Sequence, residues 1–318
     1  MRLTRGVPAA AAGSTALTIG NFDGVHLGHQ AMLAELKRAA VRLGVPSCVL
    51  TFEPHPREFF APDKAPTRLT SLREKLELLR EFDIDRVHLC RFDYRFAQIT
   101  AEEFIERVLA RGLGARWVLA GDDFRFGARR AGDLAMLKRD GTRAGMEVVG
   151  LASVMQDGER VSSTAVRRAL AAGELARAGR LLGRAYSISG RVVRGDGLGR
   201  KLGFPTANVQ MKHNRPPLTG IFAVRLHGAA AEPVRGVASL GVRPTVKTQG
   251  APVLEVHALD FEADLYRRHV RVEFLHKFRD EEKYADLAAL TRRIALDVEN
   301  ARNFFDRPDA RTPMQVNR

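Results

Sequence analysis

The pattern of apolar and polar positions gives the chain two rhythms. Up to about residue 183, short apolar runs alternate with longer stretches of helical periodicity. Residues 17–20, 47–52, 86–89, 117–120 and 147–151 read as strands, and residues 28–43, 72–82, 101–111 and 133–140 as helices. This order predicts an α/β fold, a doubly wound parallel sheet with helices on both faces. Ligands of such sheets sit beyond the carboxyl ends of the strands. Segments 20–29, 53–57 and 121–127 all fall there.

After residue 183 the runs become short, β-rich and separated by Gly/Pro turns: 186–193, 220–226, 234–240, 253–259 and 269–275. They predict an antiparallel sheet or small β-barrel. In segment 281–305, Leu287, Leu290, Ile294 and Val298 recur near helical spacing, so a C-terminal helix should pack on that sheet. The expected domains are 1–184 and 185–318, in keeping with a length of 318 residues. The opening MRLTRGVPAAAAGSTAL lacks an apolar centre and reads as an irregular lead-in rather than a signal peptide.

Charge changes this picture little. The net charge of +14 raises nucleic acid as a partner, but the arginines are scattered and interleaved with acids, as in Arg279-Asp280-Glu281-Glu282-Lys283. A solvated arginine-rich surface is the favoured account, with small anionic substrates as the other, and no nucleic-acid partner is expected. No apolar run is long enough for a membrane span. Cys48 and Cys90 form no CxxC pair, which fits a reducing cytoplasm.

Candidate chemistry is concentrated in a few stretches. In GNFDGVHLGH, Gly20 and Gly24 let backbone approach a ligand, and a helix start offers N–H groups and a positive dipole end. His26 and His29, three apart, share a face of the first turn and suit a nucleotide phosphate. A zinc pair lacks further ligands at the required spacing, while capping and packing are the structural alternative. Ser162, Ser163 and Thr164 precede a helical run with Arg167 one turn on, a pattern that serves capping or phosphate binding. In Phe52-Glu53-Pro54-His55-Pro56 two prolines stiffen a loop whose Phe52 and His55 could flank a planar ring. In Gly121–Gly127 the phenylalanines read as core or pocket wall, and Asp123 is the residue of interest.

The second half holds GRVVRGDGLGRKLGFPTAN, residues 190–208. Arg200 stands where a Walker loop needs glycine and Leu202 follows Lys201, so a Walker P-loop is excluded. On the glycines alone this is a flexible turn. In 254–261, Leu254 and Val256 take one strand face, Glu255 and His257 the other.

These stretches together resemble bacterial bifunctional riboflavin kinase/FAD synthetases. GNFDGVHLGH resembles the HxGH signature of nucleotidyltransferases, TFEPHP the family's TFxPHP, GDDFRFG its GxDFxFG loop and VSSTAVR its ISSTxxR motif. GRKLGFPTAN resembles the PTAN loop of riboflavin kinases and LEVHALDF their ExHxLDF strand. The resemblance implies an HxGH nucleotidyltransferase-like first domain that joins FMN to ATP, and a β-barrel second domain that phosphorylates riboflavin. By it Gly20, Phe22, Asp23, Gly24, His26, His29, Asp123, Ser163, Thr164 and Arg167 contact ATP in the first domain, His26, His29 and Arg167 as catalytic groups. Gly199, Lys201, Thr206 and Asn208 do so in the second, Thr206 and Asn208 holding Mg2+. Glu255 becomes the base for the riboflavin 5′-hydroxyl; Phe52, Pro54, His55, Pro56, Phe204, Glu255 and Arg279 meet the flavin. A surface ion pair is the other reading of Arg279. Departures are Ser239, where the family pattern has Asn, in the stretch SLGVRPT, and the connector His213-Asn214-Arg215-Pro216-Pro217. The implied partners are small molecules: MgATP, riboflavin and FMN, with FAD as product. The rival from another class, a nucleic-acid-binding protein with an inherited nucleotidyltransferase domain, would show salt-dependent RNA retention without flavin turnover.

Overall fold

The computed structural model describes residues 1–213, 215–242 and 252–308. Asn214 and the Arg243–Thr245 part of the Ser239 stretch therefore lie outside the described residues. The chain forms two compact units. One comprises Met1–Pro66 and Lys75–Val161; the other comprises Thr67–Glu74 and the chain from Ser162 onward. The rhythm of the sequence changes at residue 184, whereas compactness also assigns 67–74 and 162–183 to the unit containing the barrel.

The first unit runs β1 (Arg2–Arg5), β2 (Thr15–Ile19), α1 (Leu27–Leu43), β3 (Ser47–Glu53), α2 (Pro56–Phe60), then α3 (Leu72–Glu81) from Lys75 on, and β4 (Arg86–Arg91). There follow α4 (Tyr94–Ala97), α5 (Ala101–Glu103) with a π-helical continuation Phe104–Gly112, β5 (Ala115–Gly121), α6 (Leu134–Arg143), β6 (Glu147–Leu151) and a small hairpin, β7 (Met155–Gln156) and β8 (Glu159–Arg160). The six-stranded sheet has order β1-β4-β3-β2-β5-β6 and every pair is parallel. Strand β2 is buried along its whole length, as expected of a strand covered on both faces. Leu17, Ile19 and Leu50 face Phe104, Ile105 and Leu109, while Ala16, Val49 and Trp117 face Leu33 and Leu36 of α1. The order reverses between β2 and β5, so their carboxyl ends open the crevice where such sheets bind ligands. The loops leaving those two ends, 20–26 and 122–127, lie within the segments 20–29 and 121–127 read from the sequence.

One correction concerns the lead-in. Residues Arg2–Arg5 form an edge strand parallel to β4. Its two arginines mask it from hydrophobic pattern reading and suit an edge that must not pair further.

The second unit contains α7 (Ser163–Ala171), α8 (Leu175–Leu182), β9 (Tyr186–Val193), α9 (Leu198–Lys201), β10 (Ala207–Met211), β11 (Gly220–His227), β12 (Val234–Val242), β13 (Pro252–Ala258), β14 (His269–Arg279) and α10 (Leu287–Asp306). The strands close a barrel in the order β10-β13-β12-β11-β14-β9, with all described neighbours antiparallel. Phe222, Val224, Leu240, Leu254, Val256 and Val272 are fully buried. Strand β10 is absent from the pattern reading because Val209 is its one fully buried position.

The segment Thr67–Glu74 belongs here through buried hydrogen bonds. The Glu74 carboxylate accepts from the Ser189 N–H at 2.5 Å, its hydroxyl at 3.1 Å and the Ser71 N–H at 2.6 Å. Tyr186 donates its hydroxyl to the Leu69 carbonyl at 3.0 Å. Helix α10 covers β11 and β12, but on a face shifted toward its end. Asp297, Ala301 and Phe305 are buried, with Val298 and Phe304 beside them, whereas Leu287 is 59% exposed. The shift follows from Asp297, whose carboxylate is drawn to Arg279 of β14.

His276 stacks on Phe304 of α10, with centroids 5.3 Å apart. Burial, reinforced by Arg307, holds its imidazole below the ordinary pKa. The unfolded chain therefore takes up a proton that the folded chain resists. Stability is complete above a pH of about 6.5 and falls as pH drops below it. Urea midpoints should decline across that window, and His276→Phe should reduce the slope. His88, also held low by burial, supplies a further part.

Candidate active sites

In the first unit the loop from β2 into α1 is built on unusual backbone. Phe22 and Val25 have φ of 49° and 41°, with Gly24 at 84° between them. A β-branched residue at positive φ is rare and costs about 1–3 kcal/mol. The burial of Phe22 and Val25, both 0% exposed, offsets that cost by about 1.5–3 kcal/mol each. The turn brings His26 to the N-cap of α1, where its Nδ1 accepts the His29 N–H at 3.3 Å. A neutral His26 ring then carries its proton on Nε2. The His26 and His29 rings stack at 3.7 Å, and Phe22 lies 5.0 Å from His29. Gly28 makes room for this stack, since a Cβ there would sit 3.2 Å from the His26 ring. Asp23 and His26 are buried, and His29 is half-buried.

Around this turn the other expected residues divide. Phe52 is a core side chain, 9% exposed, packed on Phe92 and Phe96, so its ring is wall rather than a stacking face. His55 caps α2, accepting the Arg57 N–H at 3.1 Å, with Pro54 before it and Pro56 at the first helical position. Asp123 is exposed and paired with Arg160 at 2.7 Å. Phe124 stacks on Phe126 and Phe126 is buried, as read from the sequence. Ser163, Thr164 and Arg167 lie in α7 of the second unit. There Ser162 is the cap, accepting the Ala165 N–H at 3.1 Å, and Arg167 donates Nε to the Thr67 carbonyl at 2.5 Å.

Pattern reading missed two features of the first unit. The Asn21 side-chain oxygen is buried with no hydrogen-bond partner among the described residues. Phe60 and Tyr94 are 67% and 76% exposed, and Phe59 joins them through ring contacts of 5.2 and 5.1 Å. The phenylalanine density of PHPREFF and RFDYRF was the available signal for that ring patch.

In the second unit, barrel register assembles the site. Asn208 of β10 lies opposite Glu255 of β13, and Ser239 of β12 lies opposite Glu255 on its other side. Cross-strand partners have Cβ atoms about 4.5–5.5 Å apart, so the three side chains form a row. They are half-buried on the outward face, while Leu254 and Val256 fill the interior. Helix α9 and its turn bring Gly199 and Phe204 to Thr206. The Phe204 N–H donates to the Gly199 carbonyl at 2.8 Å, and a Cβ on Gly199 would lie 3.2 Å from the Thr206 hydroxyl and 2.5 Å from the Phe204 carbonyl. Only glycine permits this approach. Lys201 is exposed at the end of α9. Ser239 donates its hydroxyl to Glu281 at 3.1 Å.

Arg279 has a different setting. Its guanidinium forks onto Asp297 with Nε and Nη2 at 3.0 and 2.6 Å. Burial opposes its charge, but the fork keeps its pKa above the ordinary value. Among the described residues no cluster of three or more His, Cys, Asp or Glu could hold a metal. The oxygens of Thr206 and Asn208 are neutral hard donors, which suits magnesium shared with substrate phosphates rather than caged by protein.

Two family models match the chain: one described as FAD synthetase over residues 9–165 and one described as riboflavin kinase over residues 182–305. A bifunctional riboflavin kinase/FMN adenylyltransferase from Escherichia coli (strain K12) is 47% identical over 308 residues, covering 96% of this chain and 98% of the relative. One from Pseudomonas fluorescens is 50% identical over 285 residues, covering 90% and 91%. A crystal structure described as a macrolide-efflux protein from Streptococcus pneumoniae matches with a TM-score of 0.81 at 28% identity, covering 95% of this chain and 99% of that one. No helix among the described residues is long and apolar enough to cross a membrane.

The Arg279 fork makes a stability prediction. Asp297→Ala should leave the buried guanidinium only Glu282 at 3.7 Å and the Asp280 carbonyl at 3.0 Å, and cost at most about 3–5 kcal/mol, read as a lower urea midpoint. The double variant Arg279→Met with Asp297→Leu should recover most of that loss.

Proposed function

The chain belongs to the family of bifunctional riboflavin kinases/FMN adenylyltransferases, and we propose that two separate constellations among the residues described above carry its two reactions. What supports this division is that the two constellations are built separately. His26 and His29 stand on the parallel sheet, and Thr206, Asn208 and Glu255 stand on the barrel.

In the adenylyl transfer an FMN phosphate oxygen attacks the α-phosphorus of ATP, and pyrophosphate leaves. His26 and His29 donate hydrogen bonds to the triphosphate, aided by the N–H groups and positive end of α1. Gly20, Phe22, Asp23 and Gly24 hold the turn that aims them. The triphosphate role of Ser163, Thr164 and Arg167 and the nucleotide role of Asp123 rest on motif resemblance alone. Pro54, His55 and Pro56 border the flavin, with Phe52 acting as wall behind them. Phe60 and Tyr94 give the isoalloxazine a flat apolar face.

In the kinase step Glu255 takes the proton of the riboflavin 5′-hydroxyl as that oxygen attacks the γ-phosphorus, and ADP leaves. The transition state is loose, so positioning matters more than basicity. Thr206 and Asn208 would hold magnesium together with the phosphate oxygens; when bound, the metal neutralises phosphate charge. Gly199 and Lys201 lie at the phosphates and Phe204 at the flavin. Arg279 acts on the flavin pocket by fixing the end of β14 through Asp297. The buried free thiols Cys48 and Cys90, with pKa pushed up to about 12 by burial, suit a reducing cytoplasm.

Purified protein given riboflavin, ATP and magnesium should form FMN first and FAD afterwards, separated by chromatography. Failure to form either flavin overturns the reading. His29→Ala should slow FAD formation from supplied FMN about 10²–10³-fold and leave riboflavin phosphorylation intact. Glu255→Ala should slow phosphorylation about 10²–10⁴-fold and spare adenylylation. Equal loss of both steps in either variant would contradict separate sites. Thr206→Ala should raise the magnesium requirement of phosphorylation alone.

A further inference from the structure

Strand β13 carries more than Glu255. Alternation puts His257 on the same outward face, two residues along. Its Nδ1 lies 2.9 Å from the Pro205 carbonyl oxygen. That oxygen only accepts, so the ring donates and Nδ1 bears the proton. Phe204 meets the ring edge-on, with centroids 5.7 Å apart and planes at 83°. Proline has no N–H, so its carbonyl is the one backbone group by which this turn can be held at Pro205.

We propose that His257 is a positioning residue of the kinase site, a clamp that fixes Thr206 against Glu255; this rests on the kinase reading above. The segment around Thr206 is tied to β13 at two points. One is the His257–Pro205 bond, and the other is the β10–β13 pairing, which sets Ala207 opposite Val256 and Asn208 opposite Glu255. Thr206 lies between the ties, seated on Gly199. A single strand thus sets the spacing between the base and the hydroxyl that meets the metal–phosphate unit. With only the strand pairing from Ala207 on, the turn from Phe204 to Thr206 pivots and the hydroxyl loses its fixed place.

Two variants separate the clamp from simple packing. His257→Phe keeps the ring and its contact with Phe204 but removes the donor, and His257→Gln restores a donor on a flexible side chain. Peptide-level hydrogen exchange is measured with ADP, with and without magnesium, and steady-state kinetics with riboflavin and ATP. Loss of one hydrogen bond should speed exchange in segment 199–208 of His257→Phe about fivefold, with the rest of the barrel unchanged. Its KM for MgATP should rise about tenfold while KM for riboflavin holds, and His257→Gln should recover most of both effects. Wild-type exchange in that segment of His257→Phe overturns the clamp. So does faster exchange throughout the barrel that His257→Gln fails to rescue. Exchange is read without turnover, so a clamp found in a protein that forms no FMN would overturn the kinase reading and leave the clamp standing.

Discussion

The chemistry of the barrel depends on one backbone register, the antiparallel pairing that sets Asn208 opposite Glu255. The same row continues around the barrel through Val193, Asn208, Glu255, Ser239, Ile221 and Arg279. Slipping β10 by one residue would turn Asn208 inward and Val209 outward. Burial of Val209, Leu254 and Val256 opposes that slip. The apolar interior therefore fixes the polar exterior, and the Asn208 amide and the Glu255 carboxylate are neighbours because hydrophobic side chains behind them have no other place to go. At the far end of the row the Arg279–Asp297 fork fastens the covering helix.

The first unit solves its problem differently. A parallel sheet has no cross-strand ladder to spare at its carboxyl rim, so side chains there are aimed by loops. The loop after β2 is aimed by strain: two non-glycine residues at positive φ turn the chain sharply enough to put His26 at a helix start and His29 beneath it. Both strained side chains are anchored in the core, which is why the loop holds a conformation that its backbone alone would abandon. The reversal of strand order at β2 and β5 supplies the crevice, and the rigid turn supplies the donors.

Much of this was legible in the sequence, and the remainder was hidden for identifiable reasons. Parallel strands announce themselves as apolar runs, and the alternation of Leu254, Glu255, Val256 and His257 gave the face of β13 correctly. Strand β10 was not legible because a single side chain enters the core, which leaves no apolar alternation to read. The inclusion of Thr67–Glu74 with the barrel rests on Glu74 meeting Ser189, a contact no local pattern contains. The packing of a terminal helix was legible, but not which of its turns is most buried, because that is set by an ion pair, Asp297 with Arg279, as well as by the apolar periodicity. Motif resemblance singled out Thr206, Asn208 and Glu255 as candidates; it gave no reason for Gly199, which the close approach to Thr206 provides.

If the two reactions have separate sites, neither needs the other's site on the same polypeptide. The most direct measurement mixes two inactivated proteins, one carrying His29→Ala and the other Glu255→Ala, with riboflavin, ATP and magnesium. FMN made by the first should diffuse to the second, and FAD should accumulate far faster than either protein alone forms it from riboflavin. A mixture that accumulates FMN and no FAD, while the Glu255→Ala protein adenylylates supplied FMN, would contradict transfer through solution between independent sites.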